Sequence, residues 1–224
     1  MNDRTHSSLI GFQASGSYRD SHGSQDITWA IGPYLGLSRR QPSFEIRTAI
    51  RGVGFWGYDF DGLEADDADA ARLAGFHLHG ENDLTGCVLA GDLPCFFLIA
   101  GQLTNSVIRF ELDLRSTEVL RLEIRLDDQT IAVEDGWFED GMLKLAAQLP
   151  TGTELSTCVT CLYSDYSPGG HGLTGMSCHR ASAERYLAVR SKAEYWGVPV
   201  TEEVMESHRC ERWTRRIAGT GYRG

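Results

Sequence analysis

Two neighbouring stretches of the sequence alternate strictly between apolar and charged residues, and this pattern restricts the fold more than any other feature. In residues 108–115 and again in 120–127, every second residue is apolar and the residues between are charged. A period of two is typical of a β-strand with one buried and one solvent-exposed face. The short polar connection between the stretches predicts an antiparallel hairpin. Residues 44–50 show a similar pattern and predict a third strand of this kind.

The other strand candidates are shorter and less regular. They are residues 9–14, 26–31, 88–90, 95–100, 130–134 and 142–149. Helical patterns occur at 63–73 and 182–196, where Ser191 and Glu194 match a capping box that would divide the second segment into two short helices. Residues 198–206 fit either a strand or a helix. We therefore predict a mostly β, α+β protein: an antiparallel β-sandwich or rolled sheet followed by a Cys-rich, metal-binding C-terminal subdomain with short helices.

We place the boundary between these two parts near residue 149. Residues 1–148 would form the antiparallel β-rich domain, and residues 149–224 would form the Cys-rich subdomain packed on it. The chain has a net charge of −10, and 23 of its 31 acidic residues lie in residues 1–150, beside 12 basic ones. An acidic face repels nucleic acid and anionic lipid, so we expect neither as a partner. A basic protein or a cationic ligand is compatible with this charge.

The sequence carries no signal for membrane insertion or export. No apolar run approaches the roughly 20 residues that a transmembrane helix needs. The first twenty residues lack the uninterrupted apolar core of a signal peptide. We therefore expect a cytoplasmic protein.

Four of the six cysteines lie in the last third of the chain and indicate a metal site. Cys158 and Cys161 form a C-x2-C pair, which places two thiolates on one turn at a spacing that suits a tetrahedral ion. Cys178 and Cys210 would complete the site from distant segments, and an intracellular chain favours metal or reduced thiols over disulfides. We predict a structural zinc ion on these four cysteines, with no open position for catalysis.

Alternatives to this ligand set stay open. His171, His179 or His208 would also suit zinc in place of a later cysteine. The thiols would otherwise be unligated or redox-active, although a redox C-x2-C usually opens a helix and turn-rich residues follow the pair here. The other two cysteines, Cys87 and Cys95, lie in apolar surroundings and are predicted to be buried small hydrophobes.

Several runs of residues are similar to a known family. The most specific is CVTCLYSDYSPGGHGLTGMSCHR at 158–180; others are RDSHG at 19–23, GYDFDGLE at 57–64, DGWFED at 135–140, LPTG at 149–152 and the terminal GTGYRG. Together they resemble an uncharacterised bacterial family, common in actinomycetes, that is known as a domain of unknown function. The resemblance covers nearly the whole chain. It implies that Cys178 and Cys210 join the C-x2-C pair in one site, and it implies no activity.

Polar and aromatic side chains are concentrated between the C-x2-C pair and the residues just after Cys178. They are Tyr163, Asp165, Tyr166, His171 and Arg180. A loop of this composition beside a rigid metal site would serve as a binding surface. Equally, Asp165 and the nearby hydroxyls would cap backbone N–H groups and hydrogen-bond the thiolates, which is a structural role.

A second candidate metal site is His77, His79 and Glu81. Two histidines at i and i+2 on a strand project from one face, and a carboxylate follows two residues later. This set would suit a two-histidine, one-carboxylate iron site. Two surface histidines on a strand edge would produce the same pattern.

Two other motifs receive structural interpretations. Residues 52–57 match G-x-G-x-x-G, but turn residues follow where a dinucleotide-binding helix would begin, so we predict a glycine-rich strand end. The acidic run from Asp59 to Asp69 shows only part of a calcium-loop spacing, and we interpret it as helix N-terminal charge.

Two functions are compatible with these patterns. The first is a cytoplasmic, zinc-stabilised binding or interaction protein, for example an immunity-like protein that masks a basic partner; its ligand would be a protein or a small molecule. The second is a small-molecule enzyme of specialised metabolism, using iron on His77, His79 and Glu81 or one of the four thiols.

Overall fold

The computed structural model describes residues 11–34, 44–126, 128–166, 173 and 175–222. The strands are β1 (Phe12–Asp20), β2 (Gly23–Pro33), β3 (Phe44–Ile50), β4 (Val53–Gly57), β5 (Glu64–Ala65), β6 (His77–His79), β7 (Asp83–Thr85), β8 (Val88–Ile99), β9 (Gln102–Asp113), β10 (Val119–Leu126), β11 (Gln129–Asp135), β12 (Thr153–Leu155), β13 (Ser164–Tyr166), β14 (Met176–Cys178) and β15 (Glu202–Val204). The helices are α1 (Ala68–Leu73), α2 (Phe138–Ala147), α3 (Ala183–Leu187) and α4 (Lys192–Tyr195), with 3-10 turns at Cys158–Thr160 and Arg180–Ser182.

Most strands belong to one antiparallel sheet. Its order is β11-β10-β9-β8-β1-β2-β3-β4-β5-β7-β6, and β12 pairs with the far end of β8. Strands β13, β14 and β15 form a second, smaller antiparallel sheet. Within the described residues, β11 and β6 are the two ends of the large sheet, which does not close into a barrel. The prediction of a mostly β, antiparallel protein is therefore confirmed.

The hairpin predicted from the period of two is β9 and β10. Phe110 lies opposite Leu122, and Ile108 lies opposite Ile124. These four side chains are buried, while Arg109, which lies between Ile108 and Phe110 in β9, is largely exposed. Because the side chains of a strand alternate between its faces, the sequence pattern identified the buried face as well as the strands.

Two local predictions were wrong. Residues 142–149 were predicted as a strand, but Met142 lies inside helix α2, whose buried residues Phe138, Met142 and Leu145 recur at helical spacing. The predicted helix at 63–73 begins later, because the side chain of Asp67 accepts hydrogen bonds from the N–H groups of Asp69 and Ala70 and so caps α1. Residues 64–65 instead join the sheet as β5.

The predicted helical segment 182–196 forms two short helices, α3 and α4, as the capping box indicated. Ser191 caps α4 by accepting a hydrogen bond from the N–H of Glu194 at 3.3 Å. The Glu194 carboxylate in turn accepts from the N–H of Arg190 at 2.7 Å, one residue before the position that a standard capping box uses. The segment 198–206, which fitted either structure, contains strand β15.

A single main core runs through both predicted regions. Phe60, in the loop after β4, packs against Trp29 of β2 at 4.9 Å, Phe110 of β9 at 4.3 Å and Phe138 of α2 at 5.8 Å between ring centroids. The same core includes buried residues of the Cys-rich region, among them Val159. A smaller cluster consists of Tyr186, Val189, Tyr195 and Val198. Within the described ranges, no helix has the length and apolarity that crossing a membrane requires.

Candidate functional site

Three separate segments bring the four C-terminal cysteines to one place. Cys158 begins a 3-10 turn that Cys161 follows, Cys178 ends β14, and Cys210 lies after β15. The N–H of Cys158 donates to the carbonyl of His208 at 2.7 Å, which joins the first and third segments. Ser164 pairs with Cys178 across the small sheet, and its hydroxyl donates to the carbonyl of Cys158 at 2.8 Å, which joins the first and second.

The thiols of this cysteine group influence one another electrostatically. Burial raises the pKa of Cys158 well above its usual range, and the nearby Cys161, Cys178 and Cys210 raise it further. Burial also raises the pKa of Cys178, where the adjacent Arg180 acts in the opposite direction. All four are free thiols. The structure therefore brings the four thiols close enough to interact electrostatically, and a positive charge among them would stabilise their ionised forms.

The thiol orientations do not by themselves form a metal cage. As the side chains are placed, no three His, Cys, Asp or Glu residues of the described part of the chain are arranged to hold a metal ion. Four-coordinate zinc requires Zn–S distances of about 2.3 Å in a tetrahedron. Because Sγ moves with each χ1 rotamer, a metal on these four cysteines would require thiol rotamers other than those observed.

The histidines considered as alternative ligands differ in their surroundings. The ring of His179 is occupied, since Nδ1 contacts the carbonyl of Pro199 at 3.1 Å and Nε2 contacts the hydroxyl of Tyr195 at 3.2 Å. The Nε2 atom of His208 is buried and has no hydrogen-bond partner among the described residues. Burial and the charge of Arg180 lower the pKa of His208, which favours the neutral imidazole. His171 lies outside the described residues.

Arg180 is a cation in direct contact with the group. Its Nη1 donates to Sγ of Cys178 at 3.3 Å and forms an ion pair with the carboxylate of Glu202. Both charged side chains are mostly buried, at 14% and 16% exposure. This paired guanidinium is placed to offset negative charge on a Cys178 thiolate.

The polar and aromatic residues predicted as a binding loop are partly buried by the protein itself. Asp165 and Tyr166 are 1% and 5% exposed, and Oδ1 of Asp165 accepts from the N–H of Tyr166 at 2.9 Å. Tyr163 and Arg180 are half-buried. These contacts are those expected for the structural alternative, and the binding role stays a prediction.

The other sequence candidates lie elsewhere. Cys87 and Cys95 are buried, as predicted, and burial raises the pKa of each to about 12. His77 and His79 are exposed on β6, and Glu81 is exposed in the following turn. His79 lies opposite Asp83 of β7. In the described part of the chain, His77, His79 and Glu81 are not arranged to hold a metal ion, and the iron site stays a prediction.

The sequence analysis did not identify an electrostatic interaction between two distant carboxyl groups, those of Asp59 and Glu206. Asp59, which we had interpreted as helix N-terminal charge, accepts a hydrogen bond from the N–H of Leu173 at 3.2 Å. Burial, followed by the charge of Asp61, raises the pKa of Asp59 to about 7. Burial and the charge of Asp59 likewise raise the pKa of Glu206, which is fully buried. The two residues are 147 positions apart, so no local pattern could have paired them.

Asp59 also lines an open cleft at the surface of the β-sheet. Its cavity volume is only about 10 Å³, which is room for about one water molecule. Its walls include the carboxylates of Asp61 and Glu118 and the indole of Trp137, which is 48% exposed. Burial raises the pKa of both Asp61 and Glu118, and for Glu118 the charge of Asp61 adds to this effect.

Acidic residues outside this cleft are concentrated around β5, α1, β7 and β6. Between Arg51 and Arg109 the sequence contains nine acidic residues and a single basic one, Arg72. Five of these acidic residues are exposed, and we call the surface that they form the acidic end: Asp66, Asp67, Asp69, Glu81 and Asp83. On the outer face of β8, β9 and β10, by contrast, acidic residues form ion pairs with arginines, as in Arg109–Asp92 and Arg121–Glu123.

Comparison with known proteins assigns the chain to a family. A model described as "Family of unknown function (DUF6304)" matches residues 13–164, about two thirds of the sequence. The chain belongs to this family. The expected membership of an uncharacterised domain family is thus confirmed. The DUF6304 match includes Cys158 and Cys161 but ends before Cys178 and Cys210. No curated protein and no solved structure matches.

Proposed function

We propose that this DUF6304 protein is a cytoplasmic, zinc-stabilised binding protein without a catalytic metal. One zinc ion on Cys158, Cys161, Cys178 and Cys210 would hold the C-terminal region in place. The observation that carries this proposal is the convergence of four free thiols from three separate segments. A closed set of four protein ligands leaves no position for a substrate, so the role of such an ion is structural.

The charges around the cysteine group support zinc binding. Four thiolates on one Zn²⁺ leave a net charge of about −2, which is costly to bury without compensation. Arg180, which also pairs with Glu202, offers a charged N–H donor to the sulfur of Cys178 and would offset part of this charge. Burial raises the pKa values of Cys158 and Cys178. Zinc would displace their protons, so we expect binding to release protons and to weaken at low pH.

Elemental analysis of the purified protein tests the metal part of this proposal. We expect one zinc ion per chain in the native protein and none in Cys158→Ser. Cys95→Ser is the matched control, because Cys95 is an equally buried free thiol outside the group. Retention of zinc by Cys158→Ser, or absence of zinc from the native protein, would contradict the proposal. Iron that is lost only in His77→Ala would instead support the enzyme hypothesis.

The partner proposed for the β-sheet domain is a basic protein that contacts the acidic end. Exposed carboxylates attract cationic side chains and accelerate association, more so at low salt. A short oligolysine peptide serves as the probe, and its binding is measured by calorimetry at two ionic strengths. The triple variant Asp66→Asn, Glu81→Gln, Asp83→Asn should weaken binding at least tenfold.

The control for this experiment carries the same change in net charge on another surface. Asp128→Asn, Glu134→Gln and Glu211→Gln neutralise three exposed acidic residues outside the acidic end. This variant should bind the peptide almost as tightly as the native protein. Equal loss in both triple variants would mean that net charge, and not the acidic end, determines binding.

A further inference from the structure

Three aromatic side chains meet on the solvent-facing side of the large sheet. They are Tyr34, just after β2, Trp56 in β4 and Tyr58, just after β4, and each is half-buried. The ring of Tyr58 contacts the rings of Tyr34 and Trp56 edge to face, at 5.6 Å between centroids in both cases and at 81° and 89° between the ring planes. We call these three residues the aromatic corner, because the contacting planes are close to perpendicular.

The pairing of the strands places the aromatic corner beside the acidic end. Phe55 is buried, so Trp56, the next residue of β4, faces away from the core. Trp56 lies opposite Arg47 of β3 on one side and opposite Glu64 of β5 on the other. Glu64 in turn lies opposite Asp83 of β7, a member of the acidic end. Residues that lie opposite each other share a face of the sheet, so one row of side chains leads from the aromatic corner into the acidic end.

An arginine of the chain itself shows that a ring of this corner accommodates a guanidinium group. The Cζ atom of Arg47 lies over the Trp56 ring, 5.9 Å from its centroid. The Glu45 carboxylate accepts from Nε and Nη2 of the same arginine at 2.9 and 3.2 Å. The guanidinium thus combines a cation–π contact with a two-point contact to a carboxylate. Because Glu45 offsets the charge of Arg47, this pair adds little net charge to the face.

Two further carboxylates lie next to the aromatic corner. Oε2 of Glu64 accepts a hydrogen bond from the side-chain amide of Asn82 at 2.9 Å, which holds the carboxylate in place without neutralising it. The Asp66 carboxylate lies over Gly54, where a Cβ would collide with its Oδ2 atom. Gly54 is two residues before Trp56 and therefore on the same face of β4. The absence of a side chain at Gly54 thus brings a second negative charge to the corner.

The titration of Tyr58 reflects this negative charge. Burial raises the pKa of Tyr58, and a hydrogen bond with Tyr34 and the charges of Glu45 and Glu64 raise it further. A hydroxyl resists ionisation where its surroundings are already negative. The same surroundings stabilise a cation.

We propose that the aromatic corner binds one arginine side chain of the basic partner, with its guanidinium against Trp56 and Tyr58 and paired to the Glu64 carboxylate. Such an anchor rests on the proposed binding of a basic protein at the acidic end, since the rest of the partner's basic segment would lie there. Arginine is favoured over lysine because its planar guanidinium stacks on an aromatic ring and pairs with a carboxylate at two points. The ammonium group of lysine is a compact, strongly hydrated point charge and cannot pair in this way.

Two peptides of equal charge test this preference. One is hexalysine, and the other carries arginine in place of one central lysine; calorimetry at low salt measures the binding of both. We expect the native protein to bind the arginine peptide about three- to fivefold more tightly, the ratio that corresponds to a cation–π contact at an exposed site. Trp56→Leu should lose most of this preference, because leucine is apolar but has no π face. Trp56→Phe, which keeps an aromatic ring, should retain part of it.

Trp196→Leu is the matched control, because Trp196 is 61% exposed and lies just after α4, outside the large sheet. It should bind both peptides like the native protein, and thermal unfolding verifies that each variant is folded. Nuclear magnetic resonance locates the contact. The indole N–H signal of Trp56, identified by its absence in Trp56→Leu, should shift when the arginine peptide is added, and that of Trp196 should not.

Equal binding of the two peptides by the native protein would overturn the proposal, and so would an arginine preference that Trp56→Leu retains in full. In either case the acidic end keeps its proposed role if the triple variant Asp66→Asn, Glu81→Gln, Asp83→Asn weakens the binding of both peptides. If neither peptide binds the native protein, the proposed partner and its anchor both fail. Self-association of the native protein that Trp56→Leu abolishes would assign the corner to a second copy of the chain and would likewise overturn the proposal.

Discussion

The hydroxyl of Tyr186 donates a 2.7 Å hydrogen bond to Oδ2 of Asp165, a carboxylate that is 1% exposed. Arg216 approaches the same hydroxyl at 3.3 Å, and the ring of Tyr186 stacks on His179 with a centroid distance of 4.9 Å. This group connects β13, α3 and the segment after Cys210. Part of the motif that the sequence suggested for ligand binding thus holds the C-terminal region together.

Tyr186→Phe should destabilise the protein, because it removes the hydrogen bond to Oδ2 of Asp165 in a buried position, although Oδ1 keeps the N–H of Tyr166. Loss of a buried hydrogen bond to a charged group costs about 1–3 kcal/mol. Urea denaturation measures the change in the free energy of unfolding. Tyr222→Phe is a control, because Tyr222 lies at the surface nearby, with 37% exposure. Equal stability of Tyr186→Phe and the native protein would show that this hydrogen bond is not important for the fold.

Gly221→Ala should cost more stability than Gly219→Ala, although both glycines have a left-handed backbone. Their φ angles are 72° and 78°, where an L-residue pays about 1–2 kcal/mol. A Cβ on Gly221 would also lie 2.6 Å from the hydroxyl of Tyr186, whereas a Cβ on Gly219 would meet nothing within 4 Å. The difference in melting temperature between the two variants measures the cost of the contact with Tyr186, because the cost of backbone strain is common to both. Equal losses would mean that the C-terminal segment does not pack on Tyr186 in solution.

Asp59→Asn should flatten the dependence of stability on pH. Folded Asp59 keeps its proton up to a pKa of about 7, against an ordinary value of 3.8. The folded state therefore binds more protons between about pH 4 and pH 7, so the stability of the native protein falls as pH rises through this window. Asparagine does not titrate and retains an acceptor for the N–H of Leu173.

Urea unfolding at about pH 5 and about pH 8 checks this expectation. The difference in unfolding free energy between the two pH values should shrink by a few kcal/mol in Asp59→Asn. Asp128→Asn, at an exposed position, should leave the difference unchanged. If Asp59→Asn shows the full native pH dependence, another group is responsible for it.

If zinc binds the four cysteines as proposed, its removal should lower the thermal stability of the native protein. A ligand present at a thousand times its Kd stabilises the folded state by about 4 kcal/mol, and a strong chelator abolishes this term. Cys95→Ser should respond to the chelator like the native protein, whereas Cys158→Ser should already be destabilised and respond little. A native protein that unfolds at the same temperature with and without chelator would contradict a structural metal.

Local patterns predicted strands well and one helix poorly. The alternation around Phe110 and Leu122 is a property of neighbouring residues, and a strand with one buried face follows from it directly. Helix α2 was missed because Met142 and the residues after it were interpreted as an apolar strand. The spacing of Phe138, Met142 and Leu145 would have identified it, because residues three or four positions apart face the same side of a helix.

The amino-acid sequence alone specified an antiparallel, mostly β protein with a group of cysteines in its last third, since hydrophobic period and residue type are local properties. Only the tertiary structure decided which distant residues meet. The folded chain brings Asp59 within electrostatic range of Glu206 and places His208 beside Cys158. Such contacts depend on the order of the strands and on the curvature of the sheet around one shared core. This packing is determined by many long-range contacts together.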